Sequence, residues 1–393
     1  MKRAIIKGLC LGCIFALALM ILSTVMNQGN TDMTTEMGEA TYPVLSMYVG
    51  TYRVGSLHGY AQNMESAYLR DNLHPVGGNR KIDVRIDTYG RDIDEIGFEV
   101  RSLDGGRLVE STPVEEYEEK DDVINFAITL KDLIESDTEY MLVFLVTPKE
   151  STPIRYYTRI VLSDDLHIRE KLDYITDFHE RTFDKEAAAE LTKYLESNAE
   201  GDNTTFSKVT IHSSFNQVTW GDLAVRKVTE PRIMIRELAE QTGSFHMEYL
   251  VNIRNGKQID YYRIKEYYRI RYTPDRMYLL DFERTMEQIF DEEAQVYVND
   301  KIILGITGDR VTLRESDGGN VFAFTVADKL YSYNVTDNKL ARLFSFYGNT
   351  EELEDERSAY NRHDIRVLNV DETGNILFLV YGYMNRGRHE GCV

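Results

Sequence analysis

Cysteine and tryptophan are scarce in this sequence. Its 393 residues include three cysteines and one tryptophan, Trp220. Only Cys392 follows Cys13 in the chain. If the chain is exported, its body therefore has no internal disulfide, and core packing alone must stabilise its domains.

Basic residues are also fewer than acidic residues. The chain has 45 lysines and arginines against 65 acidic residues, which gives a formal net charge of −20. Nucleic acids and anionic lipid surfaces carry dense negative charge, so this balance argues against both as partners. The hydrophobic content of 42% is nevertheless enough to bury several cores, and we expect two or three domains.

Short catalytic and cofactor motifs are missing. The sequence has no H-E-x-x-H, no G-x-S-x-G, no Walker loop and no G-x-G-x-x-G. His246 and Glu248 share one face of a predicted strand and could offer two metal ligands, but no third ligand is visible. A cross-strand polar pair is the preferred interpretation. We therefore predict no catalytic residue, no cofactor and no metal site.

The N-terminus carries a long apolar run. A basic tail (residues 1–7) precedes the run 8–26, which at roughly 1.5 Å per residue reaches roughly 28 Å, close to the thickness of a bilayer core. The positive-inside rule places the N-terminus in the cytoplasm and the body outside it. We expect an uncleaved single-pass anchor, with the membrane as a partner through 8–26, followed by a flexible stalk at 27–42.

Two alternatives to an uncleaved anchor fit the sequence less well. A cleaved signal peptide has a shorter apolar core and a small-x-small cleavage site, and the residues at the end of this apolar run contain no such site. Cys10 and Cys13 suggest a lipoprotein, but most of the apolar run follows them. With so few cysteines in an exported body, a Gram-positive bacterial cell surface is the expected setting.

Residues 43–165 alternate between apolar and polar positions with period two. The runs at 81–89, 95–103 and 123–130 each place their apolar residues on one face, which predicts an antiparallel β-sandwich. Leu133, Thr138-Glu139-Tyr140 and Leu142 resemble the L-x-P-G-T-x-Y-x-V segment of fibronectin type III domains. The resemblance to fibronectin type III or immunoglobulin-like sandwiches implies that Tyr140 is a tyrosine corner and Leu133 a buried leucine before it.

Residues 166–292 follow a different pattern, with helices first and a sheet after them. Ile168, Leu172, Ile175 and Phe178 have helical spacing, and Asp184 is a plausible N-cap of a second helix. Strands are expected at 206–215, 217–225, 244–255 and 258–272. The segment 277–290 is expected to pass from strand into a short helix. These features predict an α+β domain.

Residues 293–393 contain short strands separated by turns. The segments 321–340 and 365–384 both follow a strand, turn, strand pattern that resembles the blades of β-propellers. A propeller needs about four to eight blades, and only one and part of a second fit here. We expect this region to be incomplete, the last residues to begin a further strand, and the sequence to be part of a longer chain. The predicted fold class is therefore mainly β with an α+β middle.

One strand offers a candidate binding face. Alternation places an aromatic and basic set on one side of the strand 258–272: Tyr261, Arg263, Lys265, Tyr267, Arg269 and Arg271. Such a face could grip an anionic or sugar-bearing polymer by cation–π contact and stacking. An ordinary two-sided sheet with its polar face in water is the simpler interpretation.

Two functions remain open from the sequence. The first is a non-catalytic module of the cell envelope that binds a wall polymer or an envelope protein, or senses one, because β-rich modules without catalytic motifs are typical of binding and scaffolding. The second is an envelope enzyme acting on carbohydrate, with its site in a propeller or at a domain junction.

The anchor and the incomplete C-terminal region together predict an intact mass. We expect the native protein in the source membrane fraction, with a mass larger than the 45.5 kDa of this sequence because further blades would follow. Mass spectrometry of the purified membrane protein measures this. A mass near 45.5 kDa would contradict the propeller prediction but not the anchor, whereas recovery only in the soluble fraction would contradict the anchor.

Overall fold

The computed structural model describes residues 7, 11–18, 31–32, 34, 37–65, 69–292, 297–298, 301–308, 311–349 and 351–393. Among these residues, no helix is both long enough and apolar enough to cross a membrane. The predicted anchor 8–26 lies outside the described residues except for helix α1 (residues 11–18).

The first half of the body is a β-sandwich-like pair of sheets. Its strands are β2 (Val44–Val49), β3 (Tyr52–Leu57), β4 (Leu73–Val76), β5 (Lys81–Asp87), β6 (Ile93–Ser102), β7 (Leu108–Pro113), β8 (Glu118–Lys120), β9 (Val123–Thr129), β10 (Glu139–Pro148) and β11 (Ile154–Leu162). One sheet has the order β3-β2-β5-β9-β8 and the other β4-β11-β10-β6-β7. The inward faces predicted from period-two alternation meet in one core, as Val84, Phe126 and Phe144 illustrate.

Tyr140 makes the hydrogen bond expected of a tyrosine corner. Its hydroxyl accepts the backbone N–H of Glu135 at 3.1 Å, and its ring is buried in the sandwich core. The expectation for Leu133 is wrong, because Leu133 is 55% exposed whereas Ile134 is 6% exposed and joins the core. The turn after Leu130, in which the Leu133 N–H donates to the Lys131 carbonyl, points the next residue inward instead.

The middle of the chain packs helices against a sheet of long strands. Its elements are α2 (Ile168–Thr182), a 3₁₀ helix (Ala187–Tyr194), β12 (Lys208–Thr210), α3 (Phe215–Val218), β13 (Val225–Lys227), β14 (Arg232–Leu238), β15 (Thr242–Asn255), β16 (Gln258–Tyr272) and β17 (Met277–Gln288). The predicted apolar face of α2 packs on this sheet through Leu172, Ile175 and Phe178. The Asp184 carboxylate accepts the N–H groups of Glu186 and Ala187 at the start of the 3₁₀ helix.

Three segments differ from their predicted structure. Of the strand expected at 206–215, Lys208–Thr210 form β12, and Phe215 begins α3. Where a strand was expected at 217–225, the chain forms α3 and a turn at Trp220, because Ser214 caps the helix and Trp220 adopts a positive φ of 64°. The expected change from strand to helix within 277–290 is also wrong, because β17 continues to Gln288 in antiparallel pairing with β16. The pairing of β16 with β17 shifts by one residue at a bulge near Arg269, and the buried residues of β17 still face the core on both sides of the bulge.

The sandwich and the middle region share one sheet. β14 pairs in parallel with β3 at Ile233 and Val54, so β12-β17-β16-β15-β14 continues into β3-β2-β5-β9-β8. A polar contact reinforces the join, because the Asn72 side-chain oxygen accepts the Ile235 N–H at 3.2 Å. The two halves of this part of the chain are therefore held by shared hydrogen bonding as well as by packing.

The C-terminal part consists of short strands. They are β18 (Tyr297–Val298), β19 (Lys301–Ile302), β20 (Thr312–Glu315), β21 (Val321–Val326), β22 (Lys329–Asn334), β23 (Lys339–Phe344), β24 (His363–Val370) and β25 (Ile376–Gly382), with a 3₁₀ helix at Glu351–Glu354 and α4 at Glu356–Ala359. β20 to β23 form an antiparallel meander, and β1 (Thr31–Asp32) adds to it in parallel beside β23. The hairpin β24–β25 packs on the meander.

The residues after β25 turn back onto the body and do not begin the expected further strand. The Glu390 carboxylate accepts the backbone N–H groups of Thr41 and Tyr42, both at 2.8 Å. The Tyr383 hydroxyl donates to the Gly59 carbonyl at 2.9 Å. The last residues of the segment that we expected to be a flexible stalk are thus tied to the C-terminal turns.

The hydrogen bond of the Tyr140 hydroxyl provides a test of the sandwich. Tyr140→Phe leaves the Glu135 N–H without its acceptor, so we expect the free energy of unfolding to fall by about 1–2 kcal/mol. Tyr117→Phe removes the same hydroxyl from an exposed ring and should change it by less than about 0.5 kcal/mol. Urea titration followed by circular dichroism measures both, and equal effects would contradict the assigned role of Tyr140.

Candidate functional site

The central sheet has one apolar face and one charged face over β14 to β17. Alternation along β16 turns Ile264, Tyr268 and Ile270 toward the interior and the odd-numbered residues toward the opposite side. The candidate residues Tyr261, Arg263, Lys265, Tyr267, Arg269 and Arg271 therefore do lie on one face of one strand. The C-terminal strands cover part of this face.

The six candidate residues have different surroundings. Tyr261 packs at the edge of a cluster with Leu250 and Tyr347. Tyr267 lies beside His246, and the Arg271 guanidinium lies 4.9 Å from the centre of the Tyr278 ring. Arg263 and Lys265 line one cavity together, and the other four residues are not among the described residues of its lining.

A buried ion pair joins the sheet to the C-terminal strands. Arg263 on β16 is 4% exposed and donates from Nη1 to the Asp328 carboxylate. Asp328 lies in the tight turn between β21 and β22, where Ala327 and Asp328 both have positive φ values. Burial by itself would raise the pKa of Asp328, but the adjacent Arg263 guanidinium lowers that pKa below its usual value. The pair is therefore ionised at neutral pH.

The cavity beside this ion pair has a volume of about 340 Å³. We call it the seam cavity, because β16 and β17 form one wall and the C-terminal strands form the other. Its charged lining residues are Lys208, Arg263, Lys265, Glu283, Glu287, Asp328 and Asp364. Hydroxyl and amide groups from Ser207, Thr285, Thr307 and Asn361 add neutral polar contacts. The lining can therefore meet both charges and hydrogen-bonding groups on a ligand.

His363 is the least satisfied polar group of the seam cavity. It is 6% exposed, and neither ring nitrogen makes a hydrogen bond of good geometry with the described residues, although the Asp328 backbone lies close enough to interact with the ring. Its ring meets Phe346 edge to face at 4.6 Å. Burial lowers the pKa of His363 below its usual value, so the ring is neutral at pH 7. A neutral imidazole has one donor and one acceptor, and both ring nitrogens of His363 lie beneath the cavity surface.

Among the described residues, no group of three or more His, Cys, Asp or Glu side chains is placed to hold a metal ion. The possible ligands His246 and Glu248 have other surroundings. Burial lowers the pKa of His246 to about 4, and the Glu248 carboxylate lies 3.8 Å from Arg232 and 3.7 Å from Arg263.

A second polar cluster lies on the opposite face of the sheet, beneath α2. The Glu266 carboxylate accepts hydrogen bonds from the Tyr249 and Tyr268 hydroxyls at 2.9 and 2.8 Å and lies 2.9 Å from Nδ1 of His179. All four side chains are buried. Because its carboxylate is saturated by hydrogen bonds and shielded from solvent, this cluster anchors α2 to the sheet.

Sequence reasoning missed Asp328 and His363. Both lie more than 60 residues from Arg263 in the sequence, so no local spacing connects them to β16. The available signals were weak. Ala327-Asp328 was recognisable as a turn between two apolar strands, and His363 precedes the alternating run of β24.

Comparison of the sequence with known protein families finds none that matches. A search of curated proteins finds no match either. The function is therefore inferred from the fold and from the seam cavity.

The buried, neutral state of His363 predicts an acid-dependent loss of stability. As pH falls below about 6.5, the unfolded chain takes up a proton at this position before the folded chain does. The free energy of unfolding therefore falls between pH 7.5 and pH 5, and His363→Asn should reduce that fall because Asn does not titrate. Urea titrations at both pH values measure the difference.

His389→Asn is the matched control for this measurement, because His389 is exposed. It should keep the pH dependence of the unaltered chain. The same fall in stability for His363→Asn and for the unaltered chain would show that His363 is not held neutral by the fold.

Proposed function

We propose that this chain is a membrane-anchored, extracytoplasmic protein of the bacterial envelope that binds a ligand without transforming it. In this proposal residues 8–26 are the anchor, and the body presents the seam cavity outside the cytoplasm. The N-terminal sandwich is a fibronectin type III or immunoglobulin-like module, and the C-terminal strands form a propeller-like region.

Strand order supports the type of sandwich. β5 pairs with β2 and β9 in one sheet, and β10 pairs with β6 and β11 in the other, which is the arrangement of the central strands in immunoglobulin-like domains. The hydrogen bond of Tyr140 at the start of β10 occupies the place of a tyrosine corner.

The meander β20 to β23 supports the propeller-like proposal. A propeller blade is a four-stranded antiparallel sheet whose face packs on the next blade. The meander has this form, and Val321, Ala323 and Leu330 pack with Val367 and Val370 of β24. The hairpin β24–β25 would then be the beginning of a second blade.

The seam cavity is the observation that carries the binding proposal. Ligand pockets are concave and contain a small number of convergent polar groups. At about 340 Å³ the seam cavity has the size of a small-ligand site, and both charged and neutral polar side chains line it.

A second candidate is an envelope enzyme acting on carbohydrate. The observation that favours it is the convergence of Glu283, Glu287, Asp328 and Asp364 at a junction between two parts of the chain. Glycoside hydrolysis uses two carboxyl groups, one of which must be protonated. Because Arg263 keeps Asp328 ionised, Asp328 does not suit the role of the acid.

The proposal predicts saturable binding of an envelope component that depends on the seam cavity. The full chain in detergent is titrated calorimetrically with disaccharide–peptide wall fragments, neutral wall glycan and poly(glycerol phosphate). We expect one of these to bind with unit stoichiometry, and Asp364→Asn to weaken that binding at least tenfold, because Asp364 lies on the cavity wall.

The control is Asp94→Asn, which makes the same change at an exposed carboxylate outside the seam cavity and should leave binding unchanged. If no probe binds, or if both variants weaken binding equally, the proposed function is wrong. Release of reducing sugar from the glycan, abolished by Asp364→Asn, would favour the enzyme instead.

A further inference from the structure

We propose that the ligand of the seam cavity is a compact zwitterion, namely a short peptide with free amino and carboxyl termini. This inference rests on the proposed binding function and names its substrate class. It follows from the charges, the hydrogen-bonding groups and the size of the cavity.

The described lining carries charges of both signs in close proportion. Four carboxylates face three cationic side chains, and His363 is neutral. A polyanion would bring further negative charge to a lining that already has an excess of carboxylates, in a chain of net charge −20. The structure therefore does not favour the anionic polymer that the basic residues of β16 suggest in isolation.

Existing ion pairs restrict the ligand further. Lys208 pairs with Glu283 at 2.7 Å, and Arg263 pairs with Asp328. A ligand with a single charge would compete for Arg263 or for Asp328 and leave the other of the two without its partner in a buried place, which is costly. A zwitterion presents a carboxylate to the cations and an ammonium to the anions, so each lining charge keeps a partner of opposite sign.

The neutral polar groups suit a peptide backbone. An amide group needs one acceptor and one donor. The hydroxyls of Thr285 and Thr307, which can donate or accept, supply both kinds of group. Among the described lining residues there is no Phe, Tyr or Trp, so a sugar ring has no aromatic surface on which to stack.

The two ends of the ligand can be assigned to residues. Lys265 lies on β16 beside the Arg263–Asp328 pair and forms the cationic side that would hold the carboxylate. Asp364 on β24, which is exposed at the cavity rim, and Glu287 on β17 form an anionic side for the ammonium. The volume of about 340 Å³ is at the lower end of ligand pockets, which favours two or three residues over a longer peptide.

The test titrates the full chain in detergent with alanyl-alanine and trialanine, each in free, N-acetylated and C-amidated form. We expect the free peptides to bind and each capping group to weaken binding at least tenfold. Asp364→Asn should weaken the free peptide but leave the N-acetylated peptide almost unchanged, because acetylation has already removed the ammonium. Lys265→Met should weaken binding of the free peptide but leave binding of the C-amidated peptide almost unchanged, because amidation has already removed the carboxylate.

Asp94→Asn is again the control and should bind all peptides as the unaltered chain does. Equal binding of free and capped peptides would overturn the inference. So would binding of poly(glycerol phosphate) or neutral glycan in the seam cavity without binding of any peptide, although the proposed binding function would then stand. If neither peptides nor wall fragments bind, both proposals are overturned.

Discussion

The buried ion pair between Arg263 and Asp328 is the interaction on which the candidate site depends. It connects the middle strand of the central sheet to a turn of the C-terminal meander, and both residues line the seam cavity. Removing two charges from water is costly, and their attraction repays this only when the geometry is good and other groups complete their hydrogen bonding. The pair joins the C-terminal meander to the sheet, and removal of either residue would leave a buried charge without this partner.

Other contacts hold the C-terminal part at a second place. The turns after β25 bind the backbone of residues 41–42 and 59 through Glu390 and Tyr383, while Arg53 on β3 pairs with Glu356 on α4 at 2.6 Å. The C-terminal strands are thus attached both to the sandwich and to the middle sheet. A cavity between parts that are joined on two sides can keep its shape without a ligand, which lowers the entropic cost of binding.

Local patterns predicted the local structure well. Period-two alternation identified the core faces of β5, β6 and β9, and helical spacing identified the buried face of α2, because both patterns depend only on neighbouring residues and on which side is buried. The prediction failed where tertiary contacts decide between alternatives. In one turn the buried residue is Ile134 and not Leu133, one position away from the prediction. In 217–225 the chain forms a capped short helix and not a strand.

The candidate site was predictable only in part. Arg263 and Lys265 were identifiable, because they stand on one face of a long alternating strand. Asp328 and His363 reach the cavity because segments distant in sequence pack together. The spacing of residues in a single sequence does not reveal such packing. Arg263 is buried because the C-terminal strands cover it. The part of the basic face around Arg263 is therefore enclosed and ion-paired, whereas the sequence alone suggested an open surface.

A double-mutant cycle on Arg263 and Asp328 tests this account most directly. The free energy of unfolding is measured for the full chain, Arg263→Met, Asp328→Asn and the double variant, with the exposed pair Lys208 and Glu283 treated in the same way as a reference. The account predicts a coupling energy of about 2 kcal/mol or more for the buried pair and less than about 1 kcal/mol for the exposed pair. Effects at Arg263 and Asp328 that add to within about 0.5 kcal/mol would contradict it, because the two residues would then not be joined.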